Sequence, residues 1–332
     1  MFADVLFDEY REDLIECRHF GMAALVDENG LAGCVGDSNM RCWYRSASKP
    51  IQALPLILRG IDKKYCLTDE EIAVICSSHK GDEEHIRAVS SILEKAGISE
   101  ADMCMKPTYP QRRERQNELL RAGMPPRKLY HNCSGKHAGM MMLARDIGDN
   151  VSDYWRRGTG AQNEILAALE KMTDITAADI RVGTDGCGVP VYAVPLVDMA
   201  KSFLRLACPD LISDKSLAAA VSRVLSCIHA HPNMLSGAGT ADSILSADPN
   251  LIVKYGAQGV ICIGVSSLRL GAAVKVLDGS TEETAAAALR VLELIGYDSP
   301  QVQLLRDVFP NTIVNDNGII AGRRESVFTF SR

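Results

Sequence analysis

Arg45–Pro50 reads RSASKP, and at this stretch a strand-like alternation gives way to a helical pattern. Ser46 and Lys49 form an S-x-x-K pair. With a helix beginning at Ser46, positions i and i+3 share a face, so hydroxyl and amine can meet. A serine hydroxyl is a weak nucleophile until a neighbouring base takes its proton, and a neutral lysine can be that base. The competing reading is an N-capping serine followed by a solvated lysine. The hexapeptide alone leaves both open.

Upstream, residues 1–45 alternate as strands do. In GMAALVDENGLAGCVGD two short runs flank an Asn29-Gly30 turn signal. Downstream, IQALPLILRG is helical in pattern. Pro50 fits a first turn, whose N–H groups have no intrahelical partner, whereas Pro55 predicts a kink or an irregular helix. The segment TDEEIAVICSSHKGDEEHIRAVSSILEKAG predicts a capped helix, a break at Ser78–Gly81 and an amphipathic helix to about Ala96. Residues 105–130, with four prolines, read as irregular apart from a short helix around Gln116–Ala122.

A helix is predicted from Ser134 to Ile147, with Gly148 as its C-cap. Helices at 160–172 and 194–206 bracket VGTDGCGVP, and another spans about 215–230. Residues 258–277 read as a strand hairpin, followed by a helix near 281–296. Strands at both ends with a helical middle predict an α+β fold whose termini share one sheet. The expected organisation is a single domain over 1–332, with sheet-forming ends 1–45 and 250–332 and a helical middle 46–249.

The chain of 332 residues is 47% hydrophobic and 23% charged, ordinary for a globular protein with a sizeable core. A net charge of -6 without any dense Lys/Arg block argues against a nucleic-acid or anionic-membrane partner. No stretch approaches the ~18 apolar residues of a membrane span. The N-terminal MFADVLFDEYREDLIE carries acids where a signal peptide needs a basic start. Eleven cysteines, an odd number without framework spacing, suit a reducing compartment. The expected location is therefore cytoplasmic.

Four further stretches look chemically loaded. Ser77-Ser78-His79-Lys80-Gly81 sits at a break between helices, where a serine could also simply cap the next helix. His131-Asn132-Cys133-Ser134-Gly135-Lys136-His137 has hardly any apolar side chain, and a turn with a cap does not explain its cysteine, lysine and two histidines. Gly183-Thr184-Asp185-Gly186-Cys187-Gly188 is rich enough in glycine for a backbone to approach a ligand, or for a tight turn. Lys254-Tyr255-Gly256 has the shape of the K-[ST]-G element that accompanies S-x-x-K in penicillin-recognising serine enzymes, with Tyr in the middle. The cysteines and histidines form neither a zinc-finger spacing nor an HExxH motif, and buried structural thiols remain the alternative for Cys133 and Cys187.

Taken in order, these segments resemble the rhizobial-type L-asparaginases, the class 3 or asparaginase II family. The matching strings are ECRHFG, RSASKPIQ, SHKG, HNCSGKHAG, DGCGVP and KYGAQG, spread over nearly the whole chain. The resemblance implies a serine β-lactamase-like fold, a homodimer, and hydrolysis of L-asparagine to aspartate and ammonia. It implies two Ser–Lys pairs, Ser46 with Lys49 and Ser78 with Lys254. It places substrate contacts at Arg45, His137 and Asp185, and a zinc at Cys133, Lys136 and Cys187. Lys80, Asp82 and Gln258 depart from the family pattern.

A helix N-terminus stabilises alkoxide and oxyanion charge, which favours Ser46 as the residue attacked first. Arg45 near Lys49, and Lys254 near Lys49, would help keep a lysine base neutral. Asp185 suits the substrate ammonium and Arg45 its carboxylate. The rivals are an acyl-serine enzyme of penicillin-binding or β-lactamase type, expected outside the cytoplasm, and a non-catalytic amino-acid-binding relative. Two complete Ser–Lys pairs argue against the latter.

Overall fold

A computed structural model describes residues 2–331. The chain divides into two compact units. The first comprises the chain up to Ala47, Ala193–Leu211 and the chain from Asp248 onward; the second comprises Ser48–Tyr192 and Ile212–Ala247.

The first unit is built on an antiparallel sheet. Its strands lie in the order Thr312–Val314, Ile320–Ser326, Asp4–Arg11, Leu14–Asp27, Leu270–Val276, Val260–Val265 and Leu251–Gly256. Gly30–Val35 pairs with the second half of Leu14–Asp27, closing the hairpin that Asn29-Gly30 announces. The N- and C-terminal segments thus share one sheet, as the α+β expectation requires. Each strand of the Val260–Val265 and Leu270–Val276 hairpin is almost wholly buried. Such strands read as apolar runs because both faces are covered. The amphipathic helix Leu196–Ala207 packs on this hairpin and on Leu14–Asp27, and Glu283–Leu294 packs on the hairpin and on Ile320–Ser326. Leu196–Ala207 therefore belongs with the sheet, although it lies within the stretch read as the helical middle.

The second unit is helical. Asp69–Ile75 starts on a capping box, in which the Glu71 amide donates to Thr68 Oγ1 at 3.2 Å and the Thr68 amide to Glu71 Oε2 at 2.7 Å. Such a cap contributes about 1 kcal/mol. Ser134–Ile147 runs buried from Ser134 through Ala144 and packs against Asp69–Ile75, Glu83–Ala96 and Gly160–Thr173. Lys215–Ala230 covers Asp69–Ile75 from another side. Where Pro50 and Pro55 fall, the chain forms three short helices, Lys49–Gln52, Leu54–Leu58 and Ile61–Lys64, and each proline sits in a first turn. Among the described residues no helix is long and apolar enough to cross a membrane.

Candidate active site

The loop after Asp69–Ile75 is pinned on both sides by its own backbone. The Ser78 amide donates to Leu235 O at 2.7 Å, the His79 amide to Asn132 O at 3.1 Å, and the Lys80 amide to Ser236 O at 3.0 Å. The His79 side chain lies 2.8 Å from Ser134 Oγ through Nε2. Ser134 gives its own proton to Leu129 O at 2.9 Å, and the Gly81 amide donates to His79 Nδ1 at 3.2 Å. That accounting leaves His79 neutral with its proton on Nε2. Burial, the adjacent His85 and the Lys49 charge hold its pKa well below the ordinary histidine value.

Lys49 is 1% exposed and opens the helix Lys49–Gln52. Its Nζ donates to Ser77 O at 2.5 Å and to Ser78 Oγ at 2.8 Å, and it lies 3.3 Å from Cys133 Sγ. Ser78 is therefore a buried hydroxyl in direct contact with a buried amine. A neutral amine in the same place still donates to Ser77 O and offers its lone pair to the Ser78 proton, the geometry of an activated nucleophile. The 3-10 turn Arg45–Ser48 precedes this helix, so Ser46 stands in that turn rather than at an α-helical N-terminus.

A second cluster adjoins Lys49 through Cys133. Lys136, in the first turn of Ser134–Ile147, places Nζ 3.2 Å from Cys187 Sγ and 3.5 Å from Asp185 Oδ2. The neighbouring Cys187 thiol, together with the Lys49 and Lys136 charges, drives Cys133 well below the usual thiol range despite its burial. The neighbouring Cys133 and burial push Cys187 up. Burial opposes charge on Lys136, but the two sulfurs and Asp185 outweigh it and hold the lysine pKa high.

Lys136 Nζ and the two sulfurs are of the donor types that a tetrahedral zinc takes. Bond lengths of about 2.0 Å to nitrogen and 2.3 Å to sulfur put such ligands roughly 3.5 Å apart, close to the 3.2 Å between Lys136 Nζ and Cys187 Sγ. Two other groups of metal-ligand type, Glu9/His19/Glu283 and Asp82/Glu84/His85, have carboxylates already engaged by Arg324 and Arg112.

Arg45, Ser46 and Lys254 lie in the sheet unit. Lys254 is fully buried on the strand Leu251–Gly256, with Nζ 4.2 Å from the centre of the Tyr255 ring. The triplet Lys254-Tyr255-Gly256 thus closes a strand that precedes the hairpin expected over 258–277. Arg45 adopts φ +49°, an uncommon conformation for a residue with a side chain. It follows the buried Tyr44, whose hydroxyl donates to Ser202 Oγ at 2.8 Å while Ser202 donates to Met199 O. Gly256 makes room here, since a Cβ on it would meet Tyr44 O at 2.5 Å and Arg45 Cβ at 3.1 Å.

Of the three departures from the resembled pattern, Asp82 is bound by both Nε and Nη2 of Arg112 and faces the buried His85. The Lys80 amide belongs to the pinned loop. Gln258 takes φ +67° and accepts from Lys275 Nζ at 2.5 Å.

Tyr154 and Cys104 contribute to this region although no motif in the sequence marks them. Ser77 belongs to the stretch Ser77–Gly81 but acts through its carbonyl, which no side-chain motif reports. Tyr154 follows a 3-10 turn in a polar loop, and no spacing there signals a buried phenol.

A sequence profile described as L-asparaginase II matches residues 8–325. No curated protein matches the chain. Among solved structures, Mglu in its native form is similar at 17% identity and a TM-score of 0.39, over 84% of this chain and 62% of that one. The chain thus spans less than two thirds of the length of Mglu. A beta-lactamase from Mycobacterium bovis is similar at 14% identity and a TM-score of 0.38, over 82% of this chain and 94% of that one. A probable glutaminase from Bacillus subtilis, complexed with 6-diazo-5-oxo-L-norleucine, is similar at 13% identity and a TM-score of 0.34, over 86% and 82%.

Proposed function

The chain belongs to the L-asparaginase II family, and from that premise we propose that it hydrolyses L-asparagine to L-aspartate and ammonia with Ser78 as nucleophile and Lys49 as its base. The single observation that carries this reading is the buried bond between Lys49 Nζ and Ser78 Oγ at 2.8 Å. Ser78 Oγ bonds to the side-chain amide carbon as its proton passes to Lys49. Lys49 then protonates the departing nitrogen as the C–N bond breaks and ammonia leaves. Water attacks the resulting ester, gives a proton to Lys49, and Lys49 returns it to Ser78 as aspartate is released. The family pairing gives Lys49 to Ser46 and Lys254 to Ser78; in this reading Lys49 serves Ser78, and Ser46 and Lys254 assist proton transfer.

His137 and Asp185 lie in the same unit as Ser78 and suit the polar ends of an amino acid. Asp185 keeps a buried carboxylate for the ammonium, and Arg45 is assigned to the carboxylate through the family pattern. Zinc is assigned to Cys133, Lys136 and Cys187 through the family pattern, supported by the 3.2 Å approach of Lys136 Nζ to Cys187 Sγ. Bound there it would supply a fixed positive charge and hold the Cys133 and Cys187 loops at one spacing. The strings HNCSGKHAG and DGCGVP support the rhizobial-type, class 3 subgroup and its homodimeric state, which light scattering would test.

The decisive experiment is ammonia release from L-asparagine by the purified protein. Turnover that disappears in Ser78→Ala supports the reading. Turnover on L-glutamine as fast as on L-asparagine would overturn the specificity, and none on either amide would overturn the activity.

A further inference from the structure

His137 is completely buried, and its Nε2 has no hydrogen-bond partner. A buried polar nitrogen without a partner is costly, so its proton inventory matters. Nδ1 lies 2.5 Å from the hydroxyl of Tyr154, itself fully buried. Which group donates follows from what surrounds the phenol. The Cys104 amide donates to the Tyr154 oxygen at 3.0 Å, filling one acceptor position. The Cys104 thiol stands 3.7 Å from His137 Nδ1 but gives its proton to Cys187 O at 3.4 Å, which leaves the phenol as the short-range donor to the ring. Burial pushes the Tyr154 pKa up, so the phenol keeps its proton. That proton has the His137 Nδ1 lone pair as its close acceptor. The imidazole must then carry its own hydrogen on Nε2.

We propose that Tyr154 is a positioning residue: its O–H bond to Nδ1 fixes His137 as the Nε2–H tautomer and aims that hydrogen at an oxygen of the bound amino acid. This rests on the proposed function for the identity of the ligand, but the tautomer does not. In the opposite tautomer Nε2 would be an acceptor and would repel a carboxylate or carbonyl oxygen. The chain Cys104 amide, Tyr154 hydroxyl, His137 ring is thus a one-way relay of donors that ends at the ligand. It sets orientation and leaves the proton transfers to Lys49.

The test begins with the wild-type protein labelled with 15N-histidine, His137 being assigned by comparison with His137→Gln. The expected spectrum has a pyridine-type Nδ1 and a protonated, pyrrole-type Nε2. In Tyr154→Phe the His137 signal should move toward the other tautomer. KM for L-asparagine and the Kd for L-aspartate should rise about fivefold to tenfold, with kcat changed far less, as expected for one lost hydrogen bond to the ligand. A purely structural phenol would lower the melting temperature and leave KM alone. A wild-type His137 protonated on Nδ1 overturns the proposal, whether or not the variant folds. So does Tyr154→Phe with unchanged tautomer and unchanged KM. An Nε2–H ring in a protein that releases no ammonia would support the tautomer and overturn the function assigned to the site.

Discussion

Lys49 Nζ sits 2.8 Å from Ser78 Oγ across 29 residues of sequence, with both side chains buried. Each of Ser78→Ala and Lys49→Ala should therefore lower kcat by about a thousandfold or more, with a small effect on KM. Because the two act as one unit, the double variant should be hardly slower than either single one. Mass spectrometry of the enzyme stalled on a slow substrate should find the acyl adduct on the peptide carrying Ser78. Undiminished turnover in Ser78→Ala would remove this serine from the mechanism.

The donor set of Cys133, Lys136 and Cys187 leads to a metal prediction. Zinc needs deprotonated ligands, and Lys136 and Cys187 both hold protons firmly in their present surroundings. Zinc content measured after dialysis should fall as pH is lowered, and Cys187→Ser should lose most of it. If the metal orders substrate-binding loops, that variant raises KM more than it lowers kcat. Protein that contains no metal and still hydrolyses asparagine at full rate would return both cysteines to a structural role.

Much of the helical unit was legible because its signals are local. Thr68 and Glu71 form the box that their spacing announces, Gly148 ends Ser134–Ile147 in a left-handed cap, and the helix that starts at Lys49 breaks at Ala53, just before Pro55. The site was legible as strings, but the contact between Lys49 and Ser78 was not. Ser46 and Lys49 attract attention because i, i+3 neighbours meet on a helix, whereas Lys49 reaches Ser78 only through tertiary packing. Leu251–Gly256 went unread as a strand because its run is short and interrupted by Lys254, a charge that burial within the sheet unit overrides. Pro300–Val308 was missed beside its own clear signals, a Ser299 cap and a first-turn proline. Tyr154 leaves no trace in spacing, since its role depends on which backbone amide and which imidazole fold around it.

His79 and His85 predict how stability depends on pH. Their rings stack with centroids 5.0 Å apart. Burial lowers both pKa values, and the neighbouring imidazole and Lys49 add to the effect on His79, while the Asn233 carbonyl and Asp82 partly offset it on His85. Above about pH 6.5 both histidines are neutral folded or unfolded and contribute no slope. Below it the unfolded chain takes up protons that the folded one refuses, so stability falls with pH by up to about 1.4 kcal/mol per unit for each ring. Urea unfolding between pH 7.5 and 5.5 should show this loss, and His85→Gln should flatten it. An equally steep loss in the variant would exclude His85 as a source.

Two glycines one helical turn apart separate stability from geometry at the active site. Gly135 and Gly139 both face Asp69–Ile75, but they meet different atoms. A Cβ on Gly135 would lie 2.1 Å from the Val74 carbonyl oxygen, which is backbone and cannot rotate away. A Cβ on Gly139 would lie 2.7 Å from a methyl of Ile75, a side chain that can change rotamer. Gly135→Ala should cost about 3 kcal/mol, at the upper end of overpacking, and Gly139→Ala about 1 kcal/mol. The Val74 carbonyl also accepts the Ser77 amide at 3.1 Å, so pushing it away shifts the residues that lead into Ser78. A nucleophile displaced by about 1 Å loses on the order of a hundredfold in rate. Gly135→Ala should therefore combine lower stability with a kcat loss of that size at temperatures where it is still folded, while Gly139→Ala keeps most of its turnover. Denaturant unfolding and ammonia release on the same preparations make the comparison, and equal kcat in the two variants would break the link between this helix contact and the placement of Ser78.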